Sequence, residues 1–134
     1  MAEGISALLR QSVGHLAEEA PDSYRLLLDK LGELKVNLEV DGEYFHVVGG
    51  RRLDVYDGAG GAVGATITTT RAAMLDVLDA NVGLREAVEA GTVSIRGSLD
   101  NVLRAHDAII AYVHAAVRAP SQPELLVELR AGAS

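Results

Sequence analysis

Apolar residues recur along this chain at two spacings, and the places where one gives way to the other mark its elements. Over residues 3–20 the spacing is helical: Ile5, Leu8, Leu9, Val13 and Leu16 share one side, with Ser12 among them and His15 at the edge of the stripe. Pro21 interrupts the pattern and, lacking an N–H, suits the first turn of a second helix over 22–31. That helix offers Tyr24, Leu27, Leu28 and Leu31 to a core, and Gly32 stops it. From Leu34 the period becomes two. Leu34, Val36, Leu38 and Val40 alternate with Lys35, Asn37 and Glu39, as in a strand with one buried face. Asp41-Gly42 predicts a type I′ hairpin turn into a return strand over 43–48. Gly49-Gly50 marks a second reversal, and Leu53 and Val55 lie on a third strand ending at Asp57-Gly58.

The glycines of residues 57–64, DGAGGAVG, do not make a phosphate loop. They open no helix after a parallel strand and carry no Gly-Lys-Ser/Thr, so a flexible hairpin or crossover loop is expected. They lead into a β-branched strand over 63–69. A helix over 70–80 follows, with Thr70 as cap and Ala73, Met74, Val77 and Leu78 on one side. Asn81-Val82-Gly83 breaks it before a shorter helix over 84–90. After Gly91, Val93 and Ile95 alternate with Ser94 and Arg96 in a fifth strand that Gly97 ends, and Ser98 caps a long helix from Leu99. On a helical wheel Leu99, Val102, Leu103, His106, Ile109, Ile110, Val113 and Val117 fall within an arc of about 120°. His106 lies near its middle, the one polar residue of the stripe.

Residues 1–119 thus form one domain, and Pro-Ser-Gln-Pro links it to a tail ending at residue 134. Within that tail, residues 124–130 are expected to form a last helical turn or two packing back on the body. With one sheet face wet, helices collect on the other. The predicted architecture is α+β in two layers: a mixed, mainly antiparallel five-stranded sheet with helices packed on one face.

Composition narrows the function. The chain has no cysteine, which removes disulfides, thiolate nucleophiles and thiolate metal sites. A net charge of −7 without a basic run disfavours nucleic acid. There is no basic leader and no apolar run of spanning length, so stable membrane insertion is not expected and a cytoplasmic location is. None of the four histidines falls in a close ligand motif. His106 and His114 lie about 12 Å apart along one helix, too far to share a metal. No nucleophile–base pair can be assembled, so no catalytic residue, metal or cofactor is expected.

Three local texts resemble the sterol carrier protein 2 family of sterol-binding domains. They are the hairpin around Asp41-Gly42, the segment from Ala65 to Thr70 with the helix from Met74 to Leu78, and AVEAGTVSIRGS, in which a helix ends at Gly91 and a strand at Gly97. The resemblance covers roughly residues 28–117. It implies a mixed five-stranded sheet with helices over one face, and an apolar tunnel between them for sterols, fatty acyl chains or acyl-CoA. The chain departs from the family in having few aromatic and Met residues, and its Ala-Gly-Ala-Ser end is not a peroxisomal address.

Two functions follow. The first is a small intracellular carrier of a hydrophobic small molecule or lipid, without catalysis. Its ligand would meet Met74, Leu78, Val82, Leu103, His106 and Ile110 between the last long helix and the helical crossover. The second is a structural or regulatory interaction module of the same fold with a filled core. Ala105, Ala108, Ala111, Ala115 and Ala116, with Ala72, Ala73, Ala87 and Ala90, allow close helix approach and would collapse the tunnel. A contiguous cavity above about 300 Å³ separates the two. His106 either reaches a backbone carbonyl or a side chain such as Tyr24 or Ser12, or stands on the cavity wall to orient a lipid hydroxyl or carboxylate. Tyr56 and Leu125-Leu126-Val127 are more apolar than a monomer surface needs, which points to a homodimer or to docking of the tail on a neighbouring chain.

Overall fold

A computed structural model describes residues 4–79 and 81–132. Glu3 and Ala80, the ends of two predicted helices, and the tail residues 133–134 lie outside the described residues. The elements run α1 (Ile5–Glu19), α2 (Pro21–Leu31), β1 (Lys35–Val40), β2 (Glu43–Val48), β3 (Asp54–Asp57), β4 (Ala65–Thr69), α3 (Arg71–Leu78), α4 (Leu84–Ala90), β5 (Ser94–Gly97), α5 (Leu99–Ala116) and α6 (Gln122–Gly132). The strands form one mixed sheet in the order β3-β2-β1-β4-β5. β1 pairs in parallel with β4, and the other three pairings are antiparallel. Helices pack on one face, as the alternation along β1 and β2 requires.

The local signals hold where the chemistry is local. Asp41 and Gly42 both have positive φ, the geometry that twists a hairpin correctly. Thr70 Oγ1 accepts from Ala73 N, and Ser98 Oγ from Asn101 N, so both predicted caps are made. The inward sheet face carries Val36, Val40, Phe45, Val47, Val55, Ala65 and Ile67, all buried. α1 is capped differently. Gly4 has no side chain to cap with, and the Glu43 carboxylate of β2 accepts from Ile5 N and Ser6 N at 2.9 Å each. A charge at a helix N-terminus also favours the dipole, so the hairpin and α1 brace each other. Ser6 Oγ donates to Asp57 at 2.6 Å and holds that carboxyl below its usual range, with Arg10 assisting.

The glycine-rich segment is a crossover. It carries the chain from β3, at one edge, to β4 beyond β1, over the sheet face that lacks helices. Gly60 exchanges two hydrogen bonds with the Asn37 side chain of β1, and a Cβ at Gly60 would come within 3.0 Å of the His46 ring of β2. A side chain at that point would need the His46 ring to give way. His46 in turn stacks on Tyr56 at 5.2 Å, which occupies one face of that ring.

The orientation of α5 corrects the wheel. Its deepest residues are Ala105, Ala108, Ala111 and Ala115, while Leu99 and Leu103 remain 73% and 55% exposed. α5 lies along α2, and Arg104 donates to Lys30 O there. Alanines let the two helix axes approach closely, which leucines at the same positions would prevent. Of the predicted stripe, Ile109 and Val113 still reach the interior. Leu99, Leu103 and Val117 form an outer flank, with His106 and Ile110 only partly buried beside them. A wheel weighs side-chain hydrophobicity; it does not see the depth available for it.

α6 is longer than the turn or two expected. It returns onto α1 and α3 and buries Leu125 and Leu129 there. Of the run Leu125-Leu126-Val127, Leu125 is therefore covered within the chain, Leu126 is partly buried and Val127 stays exposed.

Candidate functional site

A cavity of about 480 Å³ lies among α1, α3, the end of α5 and α6. Its apolar walls include Leu8 and Leu9 of α1, Met74 and Leu78 of α3, and Leu125 and Leu129 of α6. A second chamber of about 160 Å³ lies deeper, against the sheet, lined by residues such as Leu38, Phe45, Ile67 and Val93. Leu9, Met74, Leu78 and Tyr112 line both, so the two spaces share a wall.

The large cavity carries a polar group of three residues. Ser12 Oγ donates to Gln122 Oε1 at 2.8 Å, Gln122 Nε2 donates to the Ser12 carbonyl at 3.2 Å, and the Tyr112 hydroxyl lies 2.5 Å from Ser12 Oγ. Each comes from a different helix: Ser12 from α1, Tyr112 from α5, Gln122 from the first turn of α6. Burial pushes the Tyr112 phenol up, against the smaller opposing pull of its bond to Ser12. It stays neutral across the physiological range. Such a group would be costly in an apolar core unless mutually satisfied, and these three satisfy one another.

α6 forms one side of this cavity and is pinned at both ends. Ser121 donates its N–H and hydroxyl to the Glu19 carboxylate at 2.9 and 2.5 Å, holding that carboxyl below its usual range. At the far end Arg130 meets Asp79 at 2.6 Å, and Arg71 donates to Leu129 O.

Of the six residues expected at the site, the structure brings two to the cavity. Met74 and Leu78 line both chambers. Val82 is partly buried in the turn after α3 and lines neither; Leu103 is exposed, while His106 and Ile110 are partly buried, Ile110 against the core, and line neither chamber. The partners proposed for His106 are engaged elsewhere: the Tyr24 hydroxyl accepts from Leu53 N, and Ser12 bonds within its own group. Ser12 was visible in sequence as a polar interruption of an apolar stripe. Tyr112 and Gln122 gave no local sign, because each gains its meaning from α1, about a hundred residues away. No group of three or more His, Cys, Asp or Glu side chains among the described residues could hold a metal ion. None of the described helices is long and apolar enough to cross a membrane.

The sheet order, the crossover and the helical layer define a sterol carrier protein 2-like fold. No protein-family model matches the sequence, and no curated protein matches it significantly. Solved structures do match. The ubiquinone synthesis protein UbiJ-SCP2 superimposes with a TM-score of 0.65 at 16% identity, covering 87% of this chain and 94% of that one. The sterol carrier protein domain 2 of Helicoverpa armigera gives 0.61 at 16% identity, over 90% and 98%. The stereoselective inverting sec-alkylsulfatase Pisa1 from Pseudomonas sp. gives 0.50 at 15% identity, covering 66% of this chain but 14% of that one. There the similar fold is one part of a much larger enzyme.

Proposed function

We propose that this domain binds a small apolar ligand, without catalysing a reaction on it. The observation that carries the reading is the 480 Å³ cavity, which exceeds the roughly 300 Å³ at which ligand pockets begin. Its walls are aliphatic with one small polar group, the usual makeup of a pocket that takes up an apolar molecule and orients one end. The structures it resembles, a sterol carrier protein domain and a ubiquinone synthesis protein, agree with an apolar ligand class. A filled interaction module would have no such space. Ligand entry would follow loosening of α6, whose attachment is polar at both ends.

The test is native mass spectrometry of the purified protein, with organic extraction of whatever accompanies it and uptake of a fluorescent fatty acid. Ala116 lines the cavity, so Ala116→Trp should abolish uptake, whereas Leu103→Trp on the outer flank should not. A protein that arrives empty and takes up no member of a lipid panel would overturn the reading.

A further inference from the structure

We infer that the cavity selects an apolar ligand ending in a single uncharged hydroxyl, held between the Tyr112 phenol and the Gln122 amide, over the carboxylate of equal chain length. The inference rests on the ligand-binding reading above and concerns only the polar end. It follows from counting protons. The Ser12 carbonyl can only accept, so the nitrogen of Gln122 must face it, which fixes the amide and turns Oε1 to the Ser12 hydroxyl. The single Ser12 hydroxyl proton goes to that Oε1. Tyr112 must then donate its own proton to Ser12 Oγ. The second N–H of Gln122 is left as the spare donor, and spare acceptor lone pairs remain on the Tyr112 oxygen, Gln122 Oε1 and Ser12 Oγ.

A spare donor and a spare acceptor within one bonded cluster are the complement of a hydroxyl, which donates once and accepts once. A carboxylate accepts only. It could take the Gln122 proton but would oppose the Tyr112 lone pair, and it would carry a charge into apolar walls. Among the residues lining the cavity Arg118 alone is charged; it is exposed and its Nη1 donates to His114 O at 3.0 Å. The raised Tyr112 phenol does not supply a charge of either sign. A hydrocarbon of the same length would fill the cavity and leave both capacities unused.

The experiment is competition against a bound fluorescent probe at mildly alkaline pH, using tetradecanol, tetradecanoate and tetradecane delivered from cyclodextrin, on the full chain and on Tyr112→Phe. That substitution removes one oxygen and keeps the ring, and a melting curve checks that the fold survives; Gln122→Leu serves as the second variant. Tetradecanol should bind tighter than tetradecanoate. Tyr112→Phe should weaken tetradecanol by about three- to tenfold, the worth of one neutral hydrogen bond, and leave tetradecane within about twofold. A preference for tetradecanoate, lost in Arg118→Gln, would overturn the inference and move the polar end to the rim. So would a tetradecanol affinity indifferent to both Tyr112→Phe and Gln122→Leu. If none of the three displaces the probe, the ligand-binding reading itself fails and takes this selectivity with it.

Discussion

The two chambers of this domain are separated by four shared side chains yet are built on opposite principles. The deeper one, about 160 Å³, is backed by the sheet, where Phe45 is fully buried and Val36, Val47 and Ile67 interlock at fixed register. The larger one, about 480 Å³, is walled by helices from both ends of the chain and by loop residues 117–120. A pleated sheet sets side chains at a repeat that neighbouring strands share, so its inner face packs densely. Helices meeting at a junction have no common repeat, and space is left between them. The difference teaches where a two-layer domain can keep a void without losing its core: on the helical side, under an element attached by polar pins.

Substitutions can break that comparison. The largest effect should come from Phe45→Ala, with a loss of about 3–5 kcal/mol in denaturant unfolding. A loss below about 1 kcal/mol would show the sheet side to be as loosely packed as the helical side. Leu129→Ala beneath α6 should cost less, about 2 kcal/mol, because one side of that leucine already faces open space; its check is the same unfolding curve, read beside ligand uptake. Glu43→Ala should follow at about 1–2 kcal/mol by uncapping α1, with faster amide exchange at Ile5 and Ser6 as the local readout.

Acid provides a gentler perturbation. Glu19 is held below its usual 4.5 by Ser121, so the unfolded chain takes up its proton first as pH falls. The stabilisation is therefore complete above the usual carboxylate value and is lost as pH drops through the lowered folded one. Ser121 amide shifts recorded by NMR should move in that window and not at neutral pH. Movement near neutrality would point to another group as the pin. The smallest effect belongs to the outer flank: Leu103→Ser should change stability by no more than about 0.5 kcal/mol. If Leu99, Leu103 and Val117 instead support a homodimer, light scattering over a dilution series would show association, and this substitution would weaken it.

Much of the architecture was legible in the residues themselves. Period two along 34–40, the Asp41-Gly42 turn, the caps at Thr70 and Ser98 and the breaks at Gly32 and Gly91 are local statements, and each is made by atoms a few residues apart. The α+β class and the five strands follow from them. Met74 and Leu78, which the same local spacing puts on one side of a short helix, line the cavity.

Tertiary structure decided the rest. The turn of α5 depended on α2, along which its alanines are buried, so of a stripe chosen by hydrophobicity Ile109 and Val113 face the interior while Leu99, Leu103 and Val117 stay exposed. The cap of α1 comes from Glu43, 38 residues away, and the polar group joins Ser12 to Tyr112 and Gln122 across separations of 100 and 110. Hydrophobic period constrains which residues one element can present on a side. It does not say which neighbour will be there, how near its axis will lie, or which polar groups three helices will bring together, because those depend on distances that only the packed chain has.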